Sequence, residues 1–115
     1  MNKNQEASIK KLFEQYQERY EGIENRVKFP LSLNEFADKY TVSDDSGKFI
    51  FEVLRLNKNR YKFSFGFNNY YSSNILGCMI IAMARYFDYK MNIQDNLNQI
   101  FDVYPVLRTV TEGEL

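Results

Sequence analysis

The chain of 115 residues has no histidine, no tryptophan, one cysteine, two prolines and five glycines, and its fifteen basic and fifteen acidic side chains cancel. Each scarcity removes a class of function. Without histidine the chain lacks the usual general base near neutral pH and the commonest metal ligand, which excludes a His-assisted Ser or Cys nucleophile. One cysteine, Cys78, forms neither an intrachain disulfide nor a zinc site, and this suits a reducing compartment. It lies in an apolar run with nothing cationic close by in sequence to lower its pKa, so it reads as a small core residue. The scattered glycines make no phosphate loop and no dinucleotide fingerprint. These gaps lead us to expect no enzyme, no metal and no cofactor.

Zero net charge means that no whole-molecule field draws the protein to a phosphate backbone or an anionic bilayer, so any such attraction must be local. The longest apolar run, residues 75–84, is about half the roughly 20 residues that cross a bilayer, and the opening Met-Asn-Lys-Asn-Gln-Glu lacks the apolar stretch of a signal peptide. A cytoplasmic protein without membrane contact is therefore expected. The abundance of Asn, Lys, Ile, Tyr and Phe is what a low-GC genome, or one of its phages or plasmids, would encode.

With 44% hydrophobic and 26% charged residues the composition is that of a folded globule, and the length suits a single domain over 1–115 with a mobile tail at 112–115. Ile9, Leu12, Phe13, Tyr16, Tyr20 and Ile23 recur at three- and four-residue steps, which predicts a helix over about 5–21 with Gly22 as its C-terminal cap. Ser32 and Glu35 have the spacing of a capping box, and Leu31 and Phe36 that of a hydrophobic staple, so a second short helix is expected over 33–39.

A short β-prone stretch at 40–43 leads into Asp44-Asp45-Ser46-Gly47, whose residue types favour a turn. Two alternating segments follow, with Phe49, Phe51 and Val53 in one and Tyr61, Phe63, Phe65 and Phe67 in the other. A three-residue loop at Asn57-Lys58-Asn59 would set Phe63 against Val53, Phe65 against Phe51 and Phe67 against Phe49, with all the rings on one core face. Asn68, Asn69, Ser72 and Ser73 break this pattern and offer N-caps to a helix over 75–84 that is apolar on every side and must be covered all round. Gly77 and Ala84 would give that helix a narrow face of small residues. Asn92 can cap a last helix ending before Pro105, and 106–111 is β-prone.

The expected fold is α+β: N-terminal helices, a three-stranded antiparallel meander, and two C-terminal helices packed on the sheet. The order helix, three strands, helix resembles that of double-stranded RNA-binding domains over about 33–86. The likeness is one of topology, and no binding role comes with it, because Ser73, Asn74, Ile75 and Leu76 stand where that family has its phosphate-holding lysines.

Carboxylate pairs such as Asp44 with Asp45, or Asp38 with Glu35, already have roles in turns and caps in this reading. The feature that points outward is Arg55, Lys58, Arg60 and Lys62, four cations within eight residues with no acid among them. They would lie at a hairpin tip, opposite the acidic Asp44-Asp45 end of the meander. Such a tip can meet an acidic protein patch or phosphates. The expectation is a non-enzymatic protein-binding domain, such as an inhibitor, immunity or accessory protein, monomeric or homodimeric. The alternative is nucleic-acid binding through the same four residues. The aromatic segment 61–67 reads as core rather than as a base-stacking surface, since an apolar helix follows to cover it.

Overall fold

A computed structural model describes residues 1–89. Helix α1 (Lys3–Tyr20) is followed by strands β1 (Ser32–Phe36), β2 (Lys39–Ser43), β3 (Phe49–Asn57), β4 (Arg60–Phe65) and β5 (Asn68–Ser72), then by helix α2 (Ile75–Met83), which continues as a π-helical turn over Ala84–Tyr89. The strands form one five-stranded antiparallel sheet in the order β1-β2-β3-β4-β5. The α+β class is as expected, but the sheet has two strands more. The chain divides into two compact units, Met1–Glu52 and a second beginning at Val53.

In the first unit, Asn2 caps α1. Its side-chain oxygen accepts the Gln5 N–H at 2.8 Å while the Gln5 side chain accepts the Asn2 N–H at 3.2 Å, a reciprocal capping box. The helix buries Ile9, Phe13, Tyr16 and Tyr20, as the apolar stripe requires. Ile23 falls beyond its end and is exposed. Gly22 is not the left-handed cap that was expected: the capping residue is Glu21, in the right-handed α region, and the carbonyl of Tyr20 accepts the N–H groups of Ile23 and Glu24.

The helix expected over 33–39 is instead the β1–β2 hairpin, with Leu33 opposite Val42 and Phe36 opposite Lys39. A helix of seven residues is far below the length that holds without strong packing, whereas strand pairing buries Tyr40 and Val42. Glu35, the residue expected to close a capping box, lies 3.3 Å from the amino group of Met1. With that helix gone, the topological likeness to double-stranded RNA-binding domains goes too.

The hairpin reverses at Ala37 and Asp38, where Ala37 has a left-handed φ of 54°. An L-residue with a Cβ is strained there by about 1–2 kcal/mol, and glycine is not. Ala37→Gly is therefore expected to stabilise the unit by roughly 1 kcal/mol. Urea denaturation measures it, and an unchanged or lowered midpoint would contradict the turn geometry.

In the second unit Val53 does oppose Phe63, and Phe63 opposes Tyr70. The loop differs from expectation: Asn57 pairs with Arg60 across a two-residue turn, and a bulge at Leu56 restores the register before Arg55 meets Tyr61. Phe67 opposes no strand residue, because Gly66 turns the chain with φ 63°, and Phe67 stands fully exposed at that turn. The polar segment after it, expected to break the pattern, is strand β5. Tyr61, Phe63 and Tyr70 are buried, and Phe65 is half-buried.

Asn74 caps α2 by accepting the Gly77 N–H at 2.7 Å. Every residue of the helix except Leu76 is buried, and it packs on β4 and β5. The helix expected over 92–104, the strand over 106–111 and the tail 112–115 lie outside the described residues. Among the described residues no helix is long and apolar enough to cross a membrane.

Candidate functional site

The four basic residues singled out by spacing are not gathered on one surface. Arg60 and Lys62 lie two apart on β4 and so share a face, on which Leu54, Lys62 and Tyr71 form one cross-strand row. Arg55 pairs with Tyr61 and therefore belongs to the other face, while Lys58 is exposed in the turn. The guanidinium of Arg60 sits 4.4 Å from the centre of the Tyr71 ring, within cation–π distance. Leu54, Arg60, Lys62 and Tyr71 are each partly exposed, and Leu56 is pushed out by the bulge to 47% exposure. Further along the same face the Ser64 hydroxyl donates to the Asn69 side-chain oxygen at 2.6 Å. The result is a half-open strip of tyrosine, arginine, lysine and leucine.

Tyr71 belongs to this strip, whereas its neighbour Tyr70 is buried under Arg85, whose guanidinium lies 4.8 Å from the ring centre. The alternation of β5 separates the two, and it could have been read from the sequence had the segment been recognised as a strand.

The acidic turn is not an exposed counterpart to this strip. Asp44 is only 3% exposed, and its carboxylate accepts the backbone N–H groups of Lys28 (3.0 Å), Ser46 (2.9 Å) and Lys48 (2.9 Å) and the Ser46 hydroxyl (2.7 Å). The Lys28 N–H and then the Ser46 hydroxyl do most to hold its pKa down at about 2. This carboxylate ties the 24–30 loop to the β2–β3 turn. Nearby, Glu24 is buried and bonded to the guanidinium of Arg26 at 2.7 and 2.9 Å. Both acids are structural.

Cys78 is fully buried, and desolvation pushes its thiol up to about 12. A thiol so placed stays in its neutral form and packs as a small core group. Among the described residues no cluster of three or more Cys, Asp or Glu is placed to hold a metal.

Comparison with known proteins finds no matching family model, no similar curated protein and no similar solved structure. The functional reading therefore rests on the surfaces themselves.

A second surface lies in the first unit. Ile9 and Phe13 of α1 and Leu31 and Leu33 beside and within β1 line an open, mainly apolar groove of about 430 Å³, with Glu6 and Lys10 at its rim. Sequence reading missed it, because its walls are brought together from segments some twenty residues apart.

Proposed function

We propose that the chain is a non-enzymatic protein-binding domain that meets an acidic patch of its partner with the outer face of β3–β5. The observation that carries this reading is the Arg60 guanidinium held against Tyr71 beside Lys62 and Leu54. Tyrosine and arginine dominate the energetics of protein interfaces, and an arginine already stacked on a ring loses less side-chain freedom on binding. A flexible cluster serving phosphates would need neither the ring nor the leucine. The absence of histidine and the inert Cys78 also favour binding over catalysis.

Affinity capture with the wild-type chain, the Arg60→Glu/Lys62→Glu variant and Tyr71→Ala tests the reading, with crosslinking to place the contact. The captured protein is expected to bind the charge-reversed variant at least 30-fold more weakly and Tyr71→Ala roughly tenfold more weakly. Equal capture by all three overturns the proposal. So does retardation of a duplex at physiological salt whose log affinity falls against log salt with a slope of about −3, as contacts from Lys58, Arg60 and Lys62 to phosphates would give.

A further inference from the structure

The groove of the first unit is bordered by the terminal strand of the sheet. Strand β1 has β2 on one side, and among the described residues no strand on the other. It is also unusually open, with Ser32, Asn34, Glu35 and Phe36 exposed and Leu33 half-buried. Natural sheets usually blunt such an edge with proline, an inward charge or a bulge. Strand β1 carries no proline, its pairing with β2 is unbroken over its whole length, and its one inward charge, Glu35 opposite buried Tyr40, is taken up by the amino group of Met1 at 3.3 Å.

The register decides which backbone groups face outward. Phe36 and Lys39 close the two-residue turn, and hydrogen-bonded and non-bonded pairs alternate from there. Asn34 with Thr41 and Ser32 with Ser43 are then bonded pairs, and the N–H and C=O groups of Leu33 and Glu35 point away from β2. Of these two, Leu33 is part of the groove lining and Glu35 follows along the same edge, while Ile9, Phe13 and Leu31 form the buried apolar lining. The opposite wall is α1, with Glu6 and Lys10 one turn apart.

The geometry points to β-strand addition: an extended segment of another protein pairs with β1 and lays every second side chain into the groove. The backbone groups of Leu33 and Glu35 supply affinity without regard to sequence, and the apolar lining selects alternate apolar residues. The rim selects charge, a basic side chain against Glu6 and an acidic one against Lys10. This site shares no residue with the Arg60–Tyr71 strip.

A display library of ten-residue segments with randomised side chains, selected against the full chain, tests the inference. Enriched segments are expected to carry apolar residues at every second position, together with both charge signs. Their amide partners are read by hydrogen exchange, which should slow at Leu33 and Glu35. Leu33→Pro removes an outward N–H that the hairpin does not use, and Ala7→Glu places a charge in the groove from an exposed helix position. Each is expected to weaken the selected segments at least tenfold while leaving the circular dichroism spectrum of the chain intact. Arg60→Glu/Lys62→Glu should leave them unaffected, which separates failure of this site from failure of the strip. No enrichment, apolar residues at helical spacing, or equal binding to Leu33→Pro and Ala7→Glu would overturn the inference. A dimer in light scattering that Leu33→Pro converts to monomer would also overturn it, since a second copy would then hold the edge.

Discussion

Phe63→Ala is expected to lower the unfolding free energy by about 3–5 kcal/mol, a large share of the roughly 5–15 kcal/mol that stabilises a domain. The ring is 1% exposed and occupies the middle of the cross-strand row Val53, Phe63, Tyr70. Its centroid lies 6.2 Å from that of Phe65 and 6.3 Å from that of Tyr70, and α2 packs over its strand. Truncation removes the contacts of all these groups at once, and the strands, held by their ladders, cannot close the cavity. Phe63→Leu keeps much of the volume and is expected to cost less than about 2 kcal/mol. Urea denaturation followed by circular dichroism measures both. A loss below 1 kcal/mol for the alanine variant would show that the ring is not at the core of the second unit.

The second large effect is on the acid side of the stability curve. Folding lowers the pKa of Asp44 from 3.8 to about 2, chiefly through the Lys28 N–H and the Ser46 hydroxyl. A carboxylate with a depressed folded-state pKa contributes stability that is complete above the unfolded value and is lost as pH falls through the folded one. The stabilising contribution of Asp44 is therefore present above about pH 4 and disappears as pH drops towards 2. Asp44→Asn removes it at every pH and also turns an amide NH₂ towards donors that need an acceptor. The melting temperature at pH 7 is expected to fall by on the order of 5–10 °C. The drop in melting temperature between pH 4 and pH 2 should be shallower in the variant than in the wild type. Thermal melts across that range decide it, and parallel curves would mean that other carboxylates carry the acid transition.

Much of the helical structure was legible because its signals are local. Ile9, Phe13, Tyr16 and Tyr20 follow the helical period, and all four are buried. The segment starting at Ile75 is apolar on every side, and it is covered on nearly every side. The Asn2–Gln5 capping box is equally local, an Asn-x-x-Gln version of the spacing found at Ser32 and Glu35. There the same kind of signal misled, since a cap and staple can start a helix only if the following residues do better as helix than as strand. Residues 32–36 do better beside β2, a partner that the motif itself does not reveal.

The strands show the same limit. Alternation continued through Phe65-Gly66-Phe67, so the period gave no sign of the turn that leaves Phe67 outside. Strand β5 is polar enough to resemble a loop, and it is a strand because Tyr70 and Ser72 reach the buried face opposite Phe63 and Tyr61. The candidate site was half legible. Four cations near a hairpin could be counted, but the bulge at Leu56 and the pairing of β4 decide that Arg60 and Lys62 join Tyr71 while Arg55 faces elsewhere.

By itself, then, the amino-acid sequence determined the α+β class, the apolar stripe of α1, the all-round burial of α2, the turn chemistry at Asp44 and the lack of histidine-based chemistry, since each depends on residue types and spacings within a few positions. Only the tertiary structure decided the number of strands, the fate of Phe67, the anchoring role of Asp44, the Arg60–Tyr71 strip and the groove beside β1. Strand pairing joins residues far apart in the chain, and its energy depends on which partner is present, a quantity that no local pattern contains.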